Sequence, residues 1–212
     1  MRKKIPKETP RKTPIDKEPD LKTLTRKAVA KLINFEESHP SEILGPRILE
    51  ERGELIINVY LPLAVKVSLV IKGSRKKIEM ERLNKEGVFQ AKLSGYTKIP
   101  RYKIIWKSIN NELIETEDPY AFKPVLGEID LHLLGEGTHH KSFEKLGSKV
   151  TVIDGVKGVQ FVVWAPNAKS ISVAGEFNDW KEGAHPMTVI ENSGYWGLFI
   201  PGLGEGTTYK YA

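Results

Sequence analysis

The chain has no cysteine in its 212 residues, which excludes a disulfide framework and any thiolate metal centre. No apolar run approaches the ~20 residues of a membrane span. The opening residues also lack the apolar stretch of a secretory leader. The expectation is therefore a soluble cytoplasmic protein with no membrane partner. Aromatics are sparse, at 8 % of the chain, and none precedes Phe35. That scarcity bears on the net charge of +6, which is unevenly spread: residues 1–31 hold eleven Lys and Arg against four Asp and Glu, and the remainder is nearly balanced. The first twenty residues carry four prolines and almost nothing apolar. They cannot offset the entropy of ordering, so residues 1–20 are expected to be a solvated basic arm. Such an arm could touch nucleic acid, but no aromatics are interleaved to stack on bases, and a solubilising leader is the simpler reading.

What is present is enough for one or two cores, with 40 % hydrophobic and 28 % charged residues. Asp20 is placed to cap a helix whose apolar stripe is Leu21, Leu24, Ala28, Val29 and Leu32. A second turn is expected over Ser41–Leu44, with Ser41 as cap and Gly45 as stop.

An internal repeat follows. Residues 56–70 align with residues 160–174 at an offset of 104, setting Pro62 on Pro166, Ala64 on Ala168 and Val67 on Ile171. Further on the offset is 107, with Met80 on Met187, Gly87 on Gly194, Phe89 on Trp196, Leu93 on Ile200 and Tyr102-Lys103 on Tyr209-Lys210. Turn signals every eight to twelve residues and alternating apolar positions point to an all-β chain of two tandem antiparallel Ig-like β-sandwiches with short helical segments. The expected division is a basic arm (1–20), a first sandwich with leading helices (21–117), a connector with short helices (118–147) and a second sandwich (148–212). Beside the first copy, the second stops in mid-strand at Tyr211-Ala212 and is expected to be truncated at its C-terminus, leaving an unpaired edge.

The three extra residues in the second copy fall within Gly175–Pro186, opposite the stretch between Val70 and Met80 of the first, and this is the loop that carries Phe177-Asn178-Asp179-Trp180. A turn of this kind normally carries little apolar bulk, which makes Trp180 the residue to explain. A varied loop on a kept scaffold is how a duplicated domain gains a site.

The stretch GVQFVVWAPNAKSISVAGEFNDW (158–180) resembles carbohydrate-binding module family 48. With the connector DPYAFKPVLGEIDLHLLGEGTHHKSFEKLG (118–147), residues 32–212 are similar to the N-terminal region of bacterial-type 1,4-alpha-glucan branching enzymes. The resemblance implies that the chain is a non-catalytic part of such an enzyme, with the second sandwich contacting α-glucan such as glycogen. It also implies a catalytic (β/α)8 barrel that is missing from this sequence. The alternative is a standalone glycogen-binding regulatory or scaffold module.

No catalytic residue, metal or cofactor is expected in the chain itself. Glycoside transfer needs two carboxylates ~5 Å apart, and the acid clusters at Glu50-Glu51, Glu79 and Glu81, and Glu115, Glu117 and Asp118 read as solvated surface charges. His139-His140 have no third ligand at useful spacing and read as part of a solvated connector. Binding is the better prospect. A glucan offers apolar C–H faces rimmed by hydroxyls, which suits an exposed flat aromatic beside hydrogen-bonding side chains. Trp180 would be the platform, with Asn178 and Lys210 bonding ring hydroxyls; in the resembling family the loop Trp and the Lys of the last Tyr-Lys pair are sugar contacts. Trp164 and Trp196 lie within strands, where packing is the usual role, and the first sandwich reads as structural.

Overall fold

The computed structural model describes residues 24–123, 126–191 and 193–212. Its first element is helix α1 (Arg26–Ile33), capped by Thr25, whose hydroxyl accepts from the Ala28 N–H at 3.1 Å. The expected cap Asp20 and the stripe residue Leu21 lie outside the described residues. Ser41 is not a cap: Pro40 takes the first position of a 3-10 turn (Pro40–Glu42) and Ser41 sits within it.

The first sandwich holds β1 (Gly45–Leu49), β2 (Glu54–Tyr60), β3 (Ala64–Ile71), β4 (Lys77–Glu79), β5 (Glu81–Arg82), β6 (Val88–Ser94), β7 (Tyr102–Ser108) and β8 (Leu113–Thr116). They form two antiparallel sheets, ordered β1-β2-β6-β5 and β4-β3-β7-β8. Alternation fixes which side chains meet: Leu55, Ile57 and Val59 of β2 face Val67, Leu69 and Ile104 across the core. The other face of β2 is buried as well, since Tyr60 packs with Leu32 of α1, Leu44 and Val88. Asn58, on that face, donates to Ile43 O and accepts from Gln90 Nε2, both at 2.9 Å, so its burial is satisfied.

After helix α2 (Glu128–Gly135) come β9 (Gly147–Ile153), β10 (Val156–Trp164), β11 (Val173–Gly175), β12 (Thr188–Val189), β13 (Tyr195–Pro201) and β14 (Tyr209–Tyr211). Their main sheet is ordered β9-β10-β13-β12, the order of the first sandwich repeated, and β11 pairs β14 as β3 pairs β7. The repeat extends to a single bridge: Ser172 pairs Pro186 where the first sandwich pairs Ser68 with Glu79. Val159, Phe161, Val173, Met187, Trp196 and Leu198 fill this second core. One crossing is kept in both copies by glycine. Gly87 and Gly194 have φ of +98° and +78°, and a Cβ would stand 2.5 Å from Leu61 O in the first and 2.9 Å from Pro166 in the second.

The two sandwiches meet through residues 38–41 and 118–120. Val189 N–H donates to Ser38 O at 2.9 Å, and the Tyr120 hydroxyl donates to Pro186 O at 2.8 Å. Asp118 sets Tyr120 by accepting from its N–H at 3.0 Å and from the Tyr102 hydroxyl at 2.6 Å. This carboxyl is buried, not the solvated surface charge expected, and burial pushes its pKa up to about 6 against those two hydrogen bonds. His139 likewise departs from the solvated connector expected of it. Its ring turns inward to Asp130, with Nε2 3.1 Å from Oδ1, and Lys145 reaches the other carboxylate oxygen at 3.0 Å. Among the described residues no helix is long and apolar enough to cross a membrane.

Candidate carbohydrate-binding site

Strand β11 is short because Gly175 turns the chain out of the sheet. A Cβ there would stand 2.5 Å from Thr208 O and 2.6 Å from the Phe177 ring, so the close approach of the neighbouring backbone requires glycine. A 3-10 turn (Glu176–Asn178) follows, and then two non-glycine residues in the left-handed region, Asp179 at φ +52° and Trp180 at φ +56°. That conformation costs an L-residue about 1–2 kcal/mol, and a tryptophan gains no local side-chain bond in return. Surrounding contacts must hold it.

Asn178 supplies most of them. It is 6 % exposed; its Oδ1 accepts from Gly175 N–H, and its Nδ2 donates to Val173 O and to His185 Nδ1, each at 2.9 Å. Both amide protons are thereby used inside the loop. Asn178 does not face outward to a sugar, as the sequence suggested; it clamps the turn that presents Trp180. His185 has its pKa pushed down to about 4 by burial and is neutral, which suits the acceptor role of Nδ1. Phe177 packs edge-on to the same ring at 5.3 Å. The Trp180 N–H returns to Gly175 O at 2.9 Å, closing the loop, while the indole stands 42 % exposed.

Lys210 reaches the same edge by sheet register. Gly175 pairs with Tyr209 and Ala174 with Lys210. Tyr209 and Tyr211 turn inward onto Phe161, with ring centroids 4.8 and 6.4 Å away, which sends Lys210 to solvent. Its ammonium bonds Glu182 Oε1 at 2.9 Å, two residues beyond Trp180. Glu182 thus ties Lys210 to the loop that carries Trp180, and Asn178 is buried within that loop. Glu182 and His185 escaped notice in the sequence; Glu182 sits at the far end of the same extra-length loop, which was the available signal.

The other tryptophans divide. Trp196 is buried and its Nε1–H donates to Ala165 O at 3.0 Å. Trp164 is not packed as its strand position suggested: it is 61 % exposed beside Tyr195, with ring centroids 6.5 Å apart. Two of the acid-cluster carboxylates are held in exposed ion pairs, Lys66–Glu79 at 2.8 Å and Lys103–Glu115 at 2.6 Å.

Comparison with known proteins matches both halves. Residues 25–120 match the family "alpha-1,4-glucan branching enzyme GlgB, N-terminal domain", and residues 145–212 match "Carbohydrate-binding module 48 (Isoamylase N-terminal domain)". The 1,4-alpha-glucan branching enzyme GlgB of Paramagnetospirillum magneticum is 43 % identical over 81 % of this chain and 22 % of its own length. That of Rhodospirillum rubrum is 42 % identical over 87 % of this chain and 25 % of its own. The chain therefore spans about a quarter of the length of the curated relatives it matches. Among solved structures, a pullulanase from Paenibacillus barengoltzii in complex with maltohexaose and alpha-cyclodextrin aligns at a TM-score of 0.35 and 17 % identity over 58 % of this chain and 19 % of that one, too distant to carry an argument. With a GlgB N-terminal domain followed by a carbohydrate-binding module 48, the chain belongs to the N-terminal region of the bacterial-type 1,4-alpha-glucan branching enzyme family.

Proposed function

We infer that the second sandwich binds α-glucan, with Trp180 stacking on a sugar face and Lys210 bonding ring hydroxyls, while Asn178 holds the loop in place. The observation that carries this is Trp180 itself, a large aromatic in a left-handed conformation, clamped from below and left open above. Strain of this kind persists where the surroundings over-determine it, and it concentrates at binding sites. In the whole protein the region would hold glycogen for an enzyme that transfers α-1,4-glucan segments to α-1,6 branch points; the chemistry would belong to a catalytic barrel outside this chain.

Affinity at one such site is low. A stacked tryptophan burying ~100 Å² is worth about 2.5 kcal/mol gross, less than the ~4.1 kcal/mol net of a 1 mM complex, and association costs several kcal/mol more, so even with added hydrogen bonds a single site is no tighter than the millimolar range. On a polymer, repeated weak sites act together through effective concentration. Co-sedimentation with insoluble starch, run beside Trp180→Ala after circular dichroism has shown both to be folded, tests the reading. Wild type pelleting and the variant staying in solution supports it; a folded wild type that stays in solution refutes it.

A further inference from the structure

The loop that holds Trp180 outward also forms, with its inner side, one wall of a cavity of about 180 Å³ between the two sandwiches. The opposite wall is the Trp106 indole of β7 and the turn after it, Ser108 to Glu112. That volume equals about six waters, roughly the bulk of a single pyranose ring.

The polar groups around the cavity fall into two kinds. Trp106 Nε1 is buried and has no hydrogen-bond partner among the described residues. His185 accepts at Nδ1 from Asn178, so its proton sits on Nε2, for which no acceptor is found among the described residues. These are two N–H donors without partners, the first of them on an atom closed to water while the cleft is empty. Glu112, Glu176 and Asp179 line the cavity as well, all three on exposed positions, and none joins an ion pair among the described residues. Between lie apolar surfaces, Trp106 and Phe177 among them.

This chemistry narrows the occupant. No lysine or arginine lines the cavity and three carboxylates do, so a phosphate or other anion is repelled. An apolar ligand would leave the donors unmet. The carboxylates do not converge into a cation site, since no group of three or more metal-ligating side chains is assembled among the described residues. A neutral polyhydroxyl ring fits, because each hydroxyl both donates to a carboxylate and accepts from an N–H, while its C–H face meets an aromatic. We propose that this cleft is a second sugar subsite, taking one glucosyl unit of the same class of α-glucan between Trp106 of the first sandwich and the Glu176–Asp179 turn of the second. The substrate class rests on the reading of Trp180 as a glucan platform; the cleft itself does not. Asp179 lines the cleft and Trp180 follows it directly, so one loop serves both contacts, and an occupied cleft would tie the first sandwich, read from sequence as scaffold alone, into binding.

The indole N–H signals of the four tryptophans separate the two sites in one experiment. The 15N-labelled chain is titrated with maltoheptaose to about 10 mM, well above the millimolar range expected for such sites, with signals assigned by single Trp→Phe variants. The Trp106 and Trp180 signals are expected to move, and those of Trp164 and buried Trp196 to stay. In Trp180→Ala the Trp106 response should persist, and in Glu112→Gln, an exposed position, its midpoint should rise at least threefold with the Trp180 response unchanged. If Trp180 moves and Trp106 does not, the cleft proposal fails and the platform stands. If Trp106 moves and Trp180 does not, the cleft stands and the platform reading fails. No movement at either overturns both. A Trp106 response that Glu112→Gln leaves untouched also overturns the cleft, since the indole would then be reporting an indirect change.

Discussion

The two sandwiches share a strand order, a bridge and a glycine crossing, yet of the two matching passages, after β3 and after β11, only the second presents an aromatic. In the first, the chain passes from β3 to β4 by a short turn at Gly73-Ser74. In the second, the corresponding passage has grown by three residues and carries Asn178, Trp180, Glu182 and His185. Cover also differs. Tyr60 lies under α1 at 9 % exposure, whereas Trp164, its counterpart 104 residues later, has no such cover among the described residues. Duplication kept the hydrogen-bonded frame, whose cost of change is high, and let the loop and the outer face diverge, where backbone groups remain satisfied.

The sharpest way to break that comparison is to strike the shared crossing. Gly87→Ala and Gly194→Ala each put a Cβ against backbone or ring atoms of the opposing turn in a left-handed conformation. Each should destabilise its own sandwich by about 2–4 kcal/mol, read by urea unfolding. The closer approach, 2.5 Å against 2.9 Å, makes Gly87→Ala the more damaging of the two. A negligible shift for either would mean that the crossing is shared in outline only.

A second contrast concerns Asp118, which ends the first copy and organises the junction. Its folded pKa of about 6 lies above the ordinary 3.8, so in the window between them the unfolded chain has released a proton that the folded chain keeps. Stability from this group is therefore greatest below pH 4, falls as pH rises to about 6, and is flat beyond, a change on the order of 3 kcal/mol. Asp118→Asn retains an oxygen to accept from Tyr120 N–H but cannot ionise. Thermal unfolding between pH 4 and 7 should lose that slope in the variant; an unchanged slope would assign it to other groups.

The frame was legible in the sequence because periodicity and turn residues repeat: β6 and β13, and β5 and β12, fall at the same offset of 107 that Gly87 and Gly194 define. The outward direction of Lys210 was legible too, since Tyr209 and Tyr211 alternate with it. What was not legible depended on groups distant in sequence. Asn178 and Asp118 have the composition of exposed turn residues, and only Val173 O, His185, Tyr102 and Tyr120 converging on them turn them inward. Trp164 reads as a packing residue by its place on a strand, and its exposure follows from where α2 and Leu146 stop covering that face.

Binding effects are smaller. Trp180→Ala should weaken soluble maltooligosaccharide binding about tenfold, or about 1.4 kcal/mol, since alanine removes the stacking face and leaves the Asn178 clamp intact. Unchanged affinity, followed by isothermal titration, would make the loop of the second sandwich as structural as its counterpart in the first.

The smallest effect isolates Lys210. Its ion pair with Glu182 is more than half exposed on both sides, where such pairs contribute about 0–1 kcal/mol because water competes for each charge. A sugar hydroxyl must share or displace that carboxylate to reach the ammonium. Glu182→Gln removes the charge while keeping the side chain's length and an acceptor oxygen, so stability should hold within about 0.5 kcal/mol. The freed ammonium, with all three donors available, should then bind glucan up to about twofold more tightly. If Glu182 itself accepts from a sugar hydroxyl, the variant will bind more weakly, and the roles of the two residues at this edge are reversed. Lys210→Met completes the cycle: loss in the wild-type background, with no further loss in Glu182→Gln, would place the coupling between the two side chains and not between either and the sugar.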